Sequence, residues 1–151
     1  MALVELLLPP LPAHVRTARL VGVAAARRAG LDGDLIDELR LAVGEACSRA
    51  VSLHAVHAPD TRVSVTVQDE PSRLVVTVRD VGPAASPVAD DAGEVFGQRL
   101  HDGLDGDDGW GDPDVALAVV AGLVDDLAVH PAPDGTTVEM RWPLPVQLPG
   151  T

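Results

Sequence analysis

The sequence predicts an α+β two-layer sandwich, in which a mixed, mostly antiparallel sheet carries about three helices on one face. Three observations lead there. Strand-like alternation occurs in two pairs of neighbouring runs, each pair joined by a short polar turn, and such neighbours pair antiparallel. Three longer segments repeat apolar residues every three or four positions, which gives a helix one apolar stripe. The order strand, helix, helix, hairpin, loop, helix, hairpin leaves one sheet face to cover and three helices to cover it.

Residues 2–8 are apolar and are followed by Pro9, Pro10 and Pro12, so they read as an edge strand stopped by prolines that cannot donate to a ladder. Ala13–Ala29 is rich in Ala, Leu and Arg and reads as a helix with Gly30 as its stop. A second helix is expected over Asp34–Leu53, where Leu35, Leu39, Val43, Ala46 and Ala50 form the stripe. Pro59 and Asp60 turn the chain into a hairpin of Thr61–Gln68 and Arg73–Asp80, with Val63, Val65 and Val67 on one strand and Leu74, Val76 and Val78 on the other facing inward. A third helix is expected over Asp114–Leu127. The chain then closes with Leu127–His130, a turn at Pro133-Asp134-Gly135, and Thr136–Trp142. Between the second strand pair and the third helix, residues 83–112 are rich in Gly, Asp, Ala and Pro and read as a flexible, acidic, lid-like loop. Long loops of this kind inside a domain are usually functional or disordered. Residues 1–145 are expected to form one domain, with 146–151 as a tail.

The aromatic residues are only Phe96, Trp110 and Trp142, so the core must be built from Val, Leu and Ala. The formal charge is −12, whereas phosphate backbones require clustered Lys and Arg, so direct nucleic-acid binding is not expected. An acidic surface favours basic partners. Cys47 is the single cysteine, which fits a reducing compartment and excludes an internal disulfide. The first residues lack a basic region and carry Glu5 within their apolar run, so neither a signal peptide nor a membrane span is expected and the protein is read as cytoplasmic. His54 and His57 have no Cys or acid at metal-ligand spacing and read as solvent-facing or helix-terminal. Asp102–Asp114 lacks the spacing of a calcium loop, so no metal site is assigned. Cys47 lies beside the apolar stripe and reads as a small buried hydrophobe.

Four segments, in order along nearly the whole chain, carry a resemblance. Leu39-Arg40-Leu41-Ala42-Val43-Gly44-Glu45-Ala46-Cys47-Ser48-Arg49-Ala50-Val51 is similar to the N-box helix of the bacterial anti-sigma serine kinases, members of the GHKL (Bergerat, histidine-kinase-like) ATPase superfamily. Val78-Arg79-Asp80-Val81-Gly82-Pro83-Ala84 resembles their D-x-G-x-G box. Gly109-Trp110-Gly111 with Ala116-Leu117-Ala118-Val119-Val120 resembles the G-x-G-L-x-L-V box, and Asp134-Gly135-Thr136-Thr137-Val138 resembles the final strand. The resemblance implies the Bergerat fold, ATP with magnesium as cofactors, and a tendency to dimerise. It also implies two protein partners, a sigma factor and an anti-anti-sigma (STAS) protein.

The resemblance makes Glu45 the general base that would activate a serine hydroxyl, a role suited to a carboxylate. It places adenine against Asp80 and Gly82, and phosphates near Gly109 and Gly111. Three departures weaken the phosphate half. Arg49 stands where the family has the magnesium-binding Asn, and a guanidinium offers only donors. Arg49 is four residues after Glu45, a spacing that predicts an ion pair lowering the basicity of Glu45; alternatively, Arg49 contacts phosphate directly. Ala84 replaces the second Gly of its box. Asp112-Pro113-Asp114 would cap the helix whose N–H groups a triphosphate needs. The leading expectation is an anti-sigma-type regulator working by partner switching, with weak or no kinase activity. An active serine kinase acting on a STAS protein and a nucleotide-free interaction module are the alternatives.

Overall fold

The computed structural model of the chain describes residues 2–84 and 113–145. Its elements are β1 (Leu3–Leu8), α1 (Ala13–Ala29), α2 (Gly33–His57), β2 (Val63–Asp69), β3 (Arg73–Asp80), α3 (Pro113–Leu123), β4 (Asp126–Ala132) and β5 (Gly135–Pro143). The five strands lie in the order β1-β2-β3-β5-β4, and every neighbouring pair is antiparallel. Among the described residues the mostly antiparallel sheet expected is antiparallel throughout. Its last hairpin adds to β3 through β5, which leaves β4 as the second edge.

The inward face carries the residues the alternation selects: Val63, Val65 and Val67, then Leu74, Val76 and Val78, then Val138, Met140 and Trp142, all buried. The helices cover this face, with α2 packed between α1 and α3. A helix flanked on both sides and covered by a sheet needs small residues where the backbones approach, and α2 supplies Ala42, Gly44, Ala46, Cys47 and Ala50, all buried. Trp142 anchors the far end: its indole N–H donates to Glu38 Oε1 of α2 at 3.2 Å while its ring is 2% exposed.

Helix boundaries follow from their caps. Gly30 ends α1 in the left-handed region (φ 85°), with its N–H directed at the carbonyls of Ala26 and Arg27. Asp32 caps α2, accepting from the N–H of Asp34 at 3.0 Å, so the helix begins at Gly33. It runs on to His57, past the Leu53 at which the stripe was expected to end, because His54 is itself an inward-facing residue. The third helix stops at Leu123, earlier than expected, since β4 already begins at Asp126. The 83–112 loop lies outside the described residues from position 85 onward, as does the 146–151 tail.

Candidate functional site

The end of β3 meets the C-terminal half of α2. Alternation along β3 aims Leu74, Val76, Val78 and then Asp80 at the helix layer, so a carboxylate continues an apolar row. Arg49 reaches it from α2. Arg49 Nη1 donates to Asp80 Oδ2 at 2.8 Å, and the side chains are 2% and 1% exposed. The other carboxylate oxygen, Oδ1, accepts from the N–H of Gly82 at 3.0 Å. Both oxygens are thus engaged. Arg49 Nε is buried with no hydrogen-bond partner, a loss of about 1–3 kcal/mol.

The same turn is held from two further sides. His54 is fully buried, and its two ring nitrogens join separate segments: Nε2 accepts from the N–H of Val81 at 2.9 Å, and Nδ1 lies 2.7 Å from the carbonyl of Thr61. Because Nε2 accepts, the proton sits on Nδ1 and is donated to Thr61. On the sheet side, Asp80 is in register with Thr136, and Gly135 at the start of β5 has φ +141°. A Cβ at Gly135 would lie 1.9 Å from the Asp80 carbonyl oxygen, so only glycine fits. Gly82 is also tightly packed: a Cβ there would meet Leu53 Cβ at 3.0 Å.

Of the residues singled out from the sequence, Arg49, Asp80 and Gly82 come together, while Glu45 does not join them. Glu45 is half-buried and makes no ion pair or hydrogen bond among the described residues. The expected Glu45–Arg49 pair is absent because Arg49 lies on the inward row of α2 with Ala42 and Ala46, and the buried Asp80 is the stronger claim on its charge. The direct phosphate contact considered for Arg49 would require its guanidinium to leave the enclosed pair with Asp80. Gly109, Gly111 and Asp112 lie outside the described residues.

Two participants escaped the sequence reading. His54 was expected to be solvent-facing or helix-terminal; it lies in the last turn of α2 but is buried. Yet the inward row Val43, Ala46, Cys47, Ala50 extends to it by one further step of four, which is the signal that would have found it. Gly135 stood in the turn motif, but its contact with Asp80 depends on the β3–β5 pairing, which no local pattern reveals. Cys47 is buried as expected, and burial pushes its thiol pKa up to about 12, against a smaller lowering by the nearby charge of Arg19.

Comparison with known proteins bears on the fold as a whole. A search of curated proteins finds no match. Among solved structures, a mycobacterial sensor histidine kinase, MprB, superposes with a TM-score of 0.51 at 19% identity, covering 97% of this chain and 100% of that one. At that identity the likeness concerns the fold alone, and it is the α+β arrangement described above. The family profile of the histidine kinase-like ATPase domain matches residues 8–142, which takes in every described element except most of β1 and the last residue of β5. The chain belongs to the histidine kinase-like ATPase domain family.

Proposed function

We propose that the chain is an anti-sigma-type regulator that switches between a sigma factor and an anti-anti-sigma (STAS) protein, with weak or no kinase activity. The observation that carries the loss of nucleotide chemistry is the buried Arg49–Asp80 pair. The family typically binds ATP with magnesium. The residues present here do not fit either at this corner. An adenine amine needs an accessible acceptor, but Asp80 is buried and held between Arg49 and the Gly82 N–H. Magnesium needs oxygen ligands in tight octahedral geometry, and Arg49 supplies only N–H groups. The guanidinium in effect takes the position that a ligand's amine would fill. The partner-switching half of the reading is supported by the order of the motifs along the chain, and the partners themselves are part of the proposal.

One observation favours the alternative, an ATP-dependent serine kinase acting on a STAS protein. Glu45 is half-buried and unpaired among the described residues, as a general base must be. Thermal unfolding with ATP, with and without magnesium, separates the two readings, since a ligand of the folded state raises Tm by mass action. The regulatory reading expects no shift for the wild type, a shift for Arg49→Asn, and capture of purified sigma or STAS proteins without nucleotide. A saturable, magnesium-dependent shift in the wild type, with phosphate transfer to a STAS protein, would establish the kinase instead.

A further inference from the structure

Charge is distributed unevenly over this acidic chain. Of its residues, α1 carries Arg16, Arg19, Arg27 and Arg28 and not one Asp or Glu, although the net charge is −12. Arg16, Arg19 and Arg27, joined by Arg40 of α2, line a groove of about 390 Å³ together with Leu20 and Val23. Positions 16, 19, 20, 23 and 27 follow helical spacing, so they form one stripe about 16 Å long. Leu20 is 61% exposed at its middle.

Within the described part of the chain the groove's arginines have charge to spare. Among the described residues Arg16, Arg19 and Arg27 make no ion pair, and Arg40 has only Asp37 at 3.7 Å, with both of those side chains exposed. Arg19 is also placed: it crosses α2 at Gly44, where a Cβ would come within 2.7 Å of its Nε. Gly44 therefore lets the guanidinium stem lie flat across the helix, at the edge of the groove.

The chemistry selects the occupant. An apolar centre flanked by cations is complementary to an amphipathic helix with apolar anchors at i, i+3/i+4 and i+7 and acids beside them. Nucleic acid has no use for the exposed Leu20, and a chain of charge −12 repels a long polyanion beyond the reach of one short stripe. A second copy docked two-fold on α1 would set arginine against arginine, because the same patch meets itself in such an interface. We propose that the α1–α2 groove docks an acidic amphipathic helix of a partner protein. This deepens the regulatory reading by giving one partner a chemistry, and it rests on that reading only for the existence of a protein partner.

The test uses the full chain as bait for a displayed library of 16-residue helix-forming peptides with randomised faces. Enrichment of Asp and Glu beside Leu is expected, with binding that weakens as salt rises. Affinity for the enriched peptides should fall by about tenfold or more in Arg16→Glu/Arg27→Glu and several-fold in Leu20→Ala, each retaining the wild-type melting curve. Gly44→Ala, which displaces Arg19, should weaken binding without changing the net charge. Peptides lacking an acidic bias, or bound equally by the charge-reversed variant, would overturn the proposal. So would a DNA duplex that binds the wild type and displaces the peptides, or a dimer in sedimentation that dissociates in Arg16→Glu. Purified sigma and STAS proteins that bind wild type and charge-reversed chain alike would sink the groove while leaving the regulatory reading in place.

Discussion

Arg49 and Asp80, 31 residues apart in sequence, join α2 to the end of β3 through a 2.8 Å ion pair that solvent barely reaches. A buried pair of this kind contributes little net stability over an apolar replacement, but removing one partner leaves a charge stranded.

Asp80→Ala should therefore destabilise the fold by about 3–5 kcal/mol, since the guanidinium of Arg49 cannot lose its proton to escape. Arg49→Met/Asp80→Leu, which removes both charges, should recover most of that loss. Urea unfolding of the single and double variants checks both expectations. Equal destabilisation by the double and the single variant would argue against the pair as the source of the effect.

Gly135→Ala should be more damaging than Gly82→Ala. The first sets a Cβ 1.9 Å from a backbone oxygen at φ +141°, a clash that only movement of β5 relative to β3 relieves. The second presses on Leu53 Cβ at 3.0 Å, which a small shift of α2 accommodates. Losses of about 3 kcal/mol or more against about 1–2 kcal/mol are expected, read from midpoints of chemical unfolding.

His54→Phe should keep the packing volume while orphaning the Val81 N–H and the Thr61 carbonyl, at about 2–4 kcal/mol for the two groups. The Val81 amide should then exchange its hydrogen much faster in native-state exchange. Unchanged protection at Val81 would show that the ring merely fills space.

Cys47 sets an alkaline limit. Its thiol stays protonated in the folded chain up to about pH 12, whereas the unfolded thiol ionises near pH 9.0. The folded state holds the proton more tightly, so stability from this group is full below pH 9.0 and falls as pH rises toward 12. A loss of a few kcal/mol is the order expected, and it should be absent in Cys47→Ala. In the native protein at pH 8, thiol reagents should modify Cys47 only at the rate of unfolding.

The layers of the fold were legible because period-two and period-3.6 patterns are local. Val63, Val65, Val67 and Leu74, Val76, Val78 could be assigned to one face from alternation alone. The choice made by Arg49 was not legible in the same way. Its spacing from Glu45 suggested a surface pair, but the outcome depended on which face of α2 turned inward and on where β3 ended, both tertiary facts. His54 was misplaced for a related reason, because a histidine near a helix end reads as polar until its two partners, Thr61 and Val81, are known to converge on it. Gly135 shows the limit most sharply: the motif could be seen, but the strand pressed against it could not.

The buried pair also gives the sequence a direction in mutational space. Were Asp80 to change first, an ionised side chain would be left in the core with nothing to answer it. Were Arg49 to change first, the carboxylate would keep the Gly82 N–H and gain an empty position beside it. Of the two first steps the one at position 49 is the better tolerated, and the two sites cannot drift independently.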